Sequence, residues 1–170
     1  MTLVTLLKTL ENSIKLGYKN NLWYPHKSLE GGLDTIGYGH KITPLELSRG
    51  LLINNKRYDA YQGLPEELIE ILLLQDIHRS RVLLETRVSG FPELSDSYQS
   101  ILICIDFNTG NVSDKRWPKL LKAMREDDLG GIRNEMVTSY RRLDGVRVWL
   151  DSRADLVYNN LISPGTPKLF

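Results

Sequence analysis

This chain of 170 residues has few cysteines and histidines, a small net charge and no long apolar run. It has one cysteine, three histidines and a formal net charge of +1. A single cysteine excludes an intramolecular disulfide. No apolar stretch approaches the roughly 20 residues that a membrane-spanning helix needs, so we expect no membrane insertion. The small net charge argues against a nucleic-acid partner, because such proteins usually carry a strongly basic face.

The scarce residues also bear on metal and cofactor chemistry. Cys104 lies within the apolar run 101–105, where we expect a buried, small hydrophobic side chain rather than a reactive thiol. His26, His40 and His78 are too scattered for the paired-histidine spacing of zinc enzymes. We therefore expect neither a metal nor another cofactor.

The first segment of the chain, residues 1–16, is predicted to contain a helix over residues 3–16. Its apolar side chains recur at helical spacing: Leu3, Leu6, Leu7, Leu10 and Ile14. Glu11 lies on or beside this stripe, where an aliphatic residue is expected. The same segment lacks the basic start and small-residue cleavage site of a signal peptide, so we expect synthesis in the cytoplasm.

The remaining chain divides into three further segments. Residues 17–63, rich in Gly, Asn, Tyr and Lys, are predicted to form a small β-containing lobe, with a short strand at 35–40 and a helix starting at Thr43-Pro44. Residues 64–88 have the periodicity of a long connecting helix.

Residues 89–170 are predicted to form a wholly helical lobe. The expected fold class is α+β, with one domain over residues 1–170 and a monomeric state.

Three short motifs follow Glu11 in a particular order. They are TIGYGH at 35–40 followed by KIT, LLLQDI at 72–77 in the long helix, and FNTG at 107–110 in the helical lobe. With a glutamate on the first helix, this order resembles the phage-type lysozymes of glycoside hydrolase family 24, which include the endolysins of T-even phages.

The resemblance implies a lysozyme-like fold and a function. Such proteins are muramidases that cleave the β-1,4 bond between N-acetylmuramic acid and N-acetylglucosamine, so the expected partner is bacterial peptidoglycan. Without a signal peptide, the enzyme would reach the wall through a separate pore or as part of a virion. Glu11 matches the family's general acid and Thr35 its threonine, which could hold a water molecule. Tyr38 and Phe107 are candidate substrate-binding residues.

The family's second catalytic residue, an aspartate or cysteine between the glutamate and the threonine, has no clear counterpart. The 23 residues between Glu11 and Thr35 form a longer segment than the family pattern allows. His26 is the first choice, because a neutral imidazole can accept a proton from water near neutral pH. Glu30, which could instead bind sugar, is the second choice, and Ser28 and Asp34 remain further candidates.

One more pair follows from the resemblance. His40 and Asp76 are expected to form an ion pair that joins the β-containing lobe to the long helix. The residues agree with this, because Asp76 lies on the inward face of the helix and a buried carboxylate needs a partner.

Two rival functions stay open. A lytic transglycosylase attacks the same bond with the muramic 6-hydroxyl in place of water, and the missing aspartate is the reason to keep this alternative. A non-catalytic wall-binding or virion protein could also use this fold, since fold alone does not determine function.

Overall fold

A computed structural model describes residues 1–27, 33–141 and 147–162, with the side chains of Tyr140, Arg141 and Val148 excepted. Over these residues the protein has mixed α+β structure, as predicted. The helices are α1 (Leu3–Asn12), α2 (Pro44–Arg49), α3 (Glu66–Arg87), α4 (Asp96–Thr109), α5 (Pro118–Arg125), α6 (Leu129–Glu135) and α7 (Asp151–Leu161). The strands are β1 (Tyr18–Lys19), β2 (Leu22–Trp23), β3 (His26–Lys27), β4 (Asp34–Ile36), β5 (His40–Lys41), β6 (Leu51–Ile53), β7 (Lys56–Tyr58), β8 (Ser139–Arg141) and β9 (Arg147–Trp149). Among the residues described, no helix is both long and apolar enough to cross a membrane.

Helix α1 ends earlier than the periodicity predicts. The Asn12 side chain donates to the carbonyl of Leu16 at 2.9 Å and accepts from the Leu16 amide at 2.7 Å. These two bonds satisfy backbone groups in a turn and so compete with continuation of the helix. The prediction that Ile14 belongs to the buried stripe is wrong, since Ile14 is 80% exposed.

The predicted strand at 35–40 is instead a tight hairpin. Strands β3, β4 and β5 form one antiparallel sheet, in which Thr35 pairs with His26 on one side and Lys41 on the other. Gly37 and Gly39 have φ angles of 61° and 91°, and this left-handed backbone turns the chain between β4 and β5. The glycines therefore reverse the strand rather than extend it.

Helix α3 is the long connecting helix that the sequence predicts. It spans 22 residues, which corresponds to a length of about 33 Å. Its inward face buries Ile69, Leu72, Leu73 and Leu84 against the core. The helix thus contacts both the β-containing region and helix α4.

The prediction that residues 89–170 are wholly helical is wrong. Strands β8 and β9 pair antiparallel, with Ser139 opposite Trp149, and the Leu150 amide donates to the Thr138 carbonyl beyond them. Valine and threonine in this stretch favour extended backbone.

Helix α4 lies at the centre of the helical region. Cys104 is buried there, as expected, and burial raises the pKa of its thiol to about 12. The thiol therefore stays protonated near neutral pH and packs as a small hydrophobic group.

The predicted pair between His40 and Asp76 is confirmed. His40 donates from Nδ1 to Asp76 Oδ2 at 2.7 Å, and its Nε2 lies 3.2 Å from the carboxylate of Glu46. Because both ring nitrogens face carboxylate acceptors, the arrangement suits the imidazolium form. Burial opposes the charge, but the bond to Asp76 and the two acidic neighbours outweigh it and raise the pKa of His40.

This pair should stabilise the protein in a pH-dependent way. A raised pKa means that the contribution of His40 is fully present below its unfolded pKa and is lost as pH rises through the folded value. Removing one partner of a buried pair typically costs ~3–5 kcal/mol. We expect His40→Gln, Asp76→Asn and the double variant to show coupling in urea unfolding at about pH 5.5, and less coupling at about pH 9. Equal coupling at both pH values would contradict a charged His40.

Candidate active site

A cavity of about 330 Å³ lies where α1, the β3–β4–β5 sheet and the end of α4 meet. Glu11, His26, Thr35 and Phe107 all line it. Four predicted site residues from three separate segments of the chain therefore converge on one cavity. Lys41, which sequence reasoning did not single out, also lines it.

Glu11 lies in the last turn of α1, with its side chain 15% exposed. The Nη2 atom of Arg153 on α7 donates to Glu11 Oε1 at 2.6 Å. Arg153 is itself held by the carbonyls of Leu10 and Cys104, at 3.4 and 3.1 Å. The guanidinium therefore fixes one carboxylate oxygen of Glu11 in a partly buried position.

Gly39 allows the hairpin to approach Glu11 closely. A Cβ built at this position would lie 3.2 Å from Glu11 Oε2, and the φ of 91° is unfavourable for other residues. The second oxygen of the carboxylate therefore lies beside the hairpin backbone, and a side chain at position 39 would crowd it.

His26 and Thr35 face each other across β3 and β4. They are direct antiparallel partners, which places their Cβ atoms ≈ 4.5–5.5 Å apart. His26 donates from Nδ1 to the carbonyl of Lys27 at 3.2 Å. Because a carbonyl can only accept, the neutral ring carries its lone pair on Nε2.

The inner polar atoms of this pair have unused hydrogen-bonding capacity. His26 Nε2 and Thr35 Oγ1 are both buried and have no hydrogen-bond partner within the described part of the chain. Buried polar groups are usually satisfied, and unsatisfied ones often mark functional sites. The two atoms can serve one small polar ligand, such as a water molecule, from neighbouring strands.

Tyr38, which was predicted to bind substrate, does not line this cavity. Its side chain is 7% exposed, and its hydroxyl donates to Glu66 Oε1 at 2.7 Å. Its ring packs against Trp23 with 5.1 Å between centroids. Tyr38 lies in the turn between β4 and β5, and its side chain packs into the core from there.

Among the alternatives for the second catalytic residue, Asp34 lies outside the cavity. Since Thr35 lines the cavity, strand alternation directs Asp34 to the other face of the sheet. There it binds Lys27 at 2.6 Å and accepts from the Tyr61 hydroxyl at 2.7 Å, and these contacts lower its pKa. Ser28 and Glu30 lie outside the described residues, so the structure does not test them.

The comparisons with known proteins bring no assignment. No protein-family model, curated protein or solved structure matches this chain.

The side chains that line the cavity suit acid–base chemistry. In residues 1–27, 33–141 and 147–162, no three histidine, cysteine or acidic side chains are grouped so that they could hold a metal ion. The cavity instead offers a carboxyl group, an imidazole and a hydroxyl, which can donate, accept and position a proton.

Sequence reasoning missed Arg153 completely. It is 142 residues from Glu11, and an arginine on an amphipathic helix carries no local sign of a partner in a distant helix. Only its inward position between Leu10 and Cys104 distinguishes it from a surface arginine.

Proposed function

We propose that this protein is a peptidoglycan hydrolase, a muramidase of the phage-lysozyme type that cleaves the β-1,4 bond between N-acetylmuramic acid and N-acetylglucosamine. One observation carries the proposal: Glu11, His26 and Thr35 line the same cavity. In this interpretation the β-containing region, α3 and the later helices form a lysozyme-like architecture. The enzyme acts on the bacterial wall after release through a separate pore or from a virion.

Glu11 is the proposed general acid, which protonates the leaving glycosidic oxygen. Arg153 engages Oε1, so Oε2 is the oxygen that can meet the substrate. In this step the carboxyl group of Glu11 transfers its proton to the leaving oxygen as the glycosidic bond breaks. Loss of the leaving group generates an oxocarbenium-like centre that water must attack.

His26 and Thr35 are proposed to supply that water. With Nδ1 donating to the Lys27 carbonyl, Nε2 is the basic atom of the neutral ring. The hydroxyl of Thr35, directly across the strand pair, can hold the same water molecule from the side. Water activated in this way completes an inverting hydrolysis, in which the base and the acid act on opposite faces of the sugar.

The remaining lining residues suit a glycan. Phe107 presents an apolar ring that can pack against the C–H face of a sugar. Lys41 places a cation at the cavity, and muramic acid carries a carboxylate on its lactyl group. The positions of these two side chains support Phe107 as a substrate-binding residue and add Lys41 to the proposal.

A lytic transglycosylase is the second candidate, and one observation favours it. Glu11 is the only carboxylate that lines the described part of the cavity. A transglycosylase needs a general acid but no residue that activates water, because the muramic 6-hydroxyl is the nucleophile. A non-catalytic wall-binding protein is the third possibility and would show neither product.

The test is product analysis on purified peptidoglycan. We expect the wild-type protein to release fragments with reducing muramic acid ends, detected by mass spectrometry before and after borohydride reduction. Ends of the 1,6-anhydro type would establish the transglycosylase instead. Intact peptidoglycan after incubation with the folded protein would reject both enzymatic proposals.

A further inference from the structure

A second cavity, of about 450 Å³, lies on the β-containing region outside the candidate active site. It is bounded by α2, the β6–β7 hairpin and the 3-10 turn Ala60–Gln62. The two cavities share no lining residue. Lys41 lines the first and its neighbour Ile42 lines the second, so the chain after β5 separates them.

Tyr61 gives this cavity an aromatic wall that is held in place. The residue is 52% exposed, yet its hydroxyl donates to Asp34 Oδ2 at 2.7 Å and its amide donates to Asp59 Oδ1 at 2.9 Å. The ring is therefore oriented by bonds at both ends while much of it stays accessible. A fixed, accessible aromatic ring costs little entropy on binding and can pack against the apolar face of a sugar.

Charged side chains surround the ring in balanced numbers. Arg49 and Arg57 line the cavity together with Glu46 and Asp59. Arg57 is positioned by donation from Nη1 to the Gly50 carbonyl at 2.9 Å. The cavity lining therefore carries two positive and two negative side chains. This balance of charge favours a neutral ligand with many hydrogen-bonding groups over a phosphate or a polyanion.

We propose that this cavity is a secondary binding site for a neutral N-acetylated sugar unit of the glycan strand. The inference rests on the proposed function for the choice of ligand. A sugar offers both an apolar C–H face for Tyr61 and hydroxyl groups for Arg49 and Asp59. A second contact on a polymeric substrate raises the effective concentration of the glycan at the active site.

The direct test is an NMR titration with a β-1,4-linked N-acetylglucosamine tetrasaccharide, in a Glu11→Gln background that prevents turnover. We expect saturable amide shifts in residues 47–50 and 57–61, separate from those around the active-site cavity. Tyr61→Ala should weaken this binding about tenfold or more, because it removes the aromatic wall. Arg49→Ala should weaken it as well.

Tyr61→Phe is the matched control, because it loses the bond to Asp34 but keeps the ring. We expect it to retain most of the affinity, which would exclude an indirect effect through Asp34. Absence of shifts in 47–61, or equal affinity of wild type and Tyr61→Ala, would overturn the proposal.

A kinetic test separates this inference from the proposed function. Tyr61→Ala should digest short soluble glycan fragments at the wild-type rate and insoluble wall several-fold more slowly. If Tyr61→Ala matches the wild-type rate on both substrates, the secondary site is overturned and the muramidase proposal still stands. If the wild type cleaves neither substrate, the proposed function fails, and the titration alone decides whether the cavity binds sugar.

Discussion

Replacing Glu11 with glutamine should abolish cleavage of peptidoglycan while leaving the protein folded. The amide has nearly the same shape, and its oxygen can still accept the hydrogen bond from Arg153, but it cannot supply a proton to the leaving oxygen. Loss of a general acid typically reduces the rate by about 10²–10⁴-fold. The measurement is release of reducing ends from purified wall, with thermal unfolding followed by circular dichroism on the same samples.

Glu67→Gln is a suitable control, because it makes the same chemical change at an exposed position on α3. We expect this variant to keep wild-type activity. A folded Glu11→Gln protein with activity close to wild type would rule out Glu11 as the acid.

His26→Ala should remove most of the hydrolytic rate and change its dependence on pH. A histidine base works only in its neutral form, so the wild-type rate should fall on the acidic side of the pH profile. Without the imidazole, the residual rate should lack this acidic limb. The measurement is initial rate against pH between about 4 and 9 for both proteins.

His78→Ala controls for loss of any histidine, since His78 is exposed on α3 and does not line the active-site cavity. If His26→Ala keeps the wild-type rate and pH profile, His26 is not the base. Glu30 then becomes the first candidate, and a glutamate base would place the acidic limb at lower pH than a histidine base. Anhydro products from wild type and His26→Ala alike would instead support the transglycosylase.

Structural features that depend only on residues close together in the sequence could be predicted from it. The long helix α3 follows from apolar periodicity, and α2 starts at Thr43-Pro44 with a capping box completed by Glu46. Such signals act within one or two helical turns, so they do not require knowledge of the tertiary structure. The α+β class follows from the same local evidence.

Predictions failed where tertiary contacts or backbone geometry compete with the local pattern. The apolar spacing extends the first helix through Ile14, but Asn12 ends it by bonding to the next turn and to the Gly37 carbonyl in the hairpin. Residues 139–140 and 147–149 were predicted within helices, yet they belong to the paired strands β8 and β9. In both cases, hydrogen bonds in the folded protein override a weak helical preference.

For the candidate site, the sequence by itself nominated Glu11 and Thr35 and indicated which way Glu11 faces within its own helix. Helical spacing directs Glu11 inward, and the motif at 35–40 nominates Thr35. Only the tertiary structure decided that His26 joins them, that Tyr38 does not, and that Arg153 holds Glu11 from a helix 142 residues away. Periodicity specifies a face of one element, whereas a site depends on how several elements pack, and that packing is determined by long-range contacts.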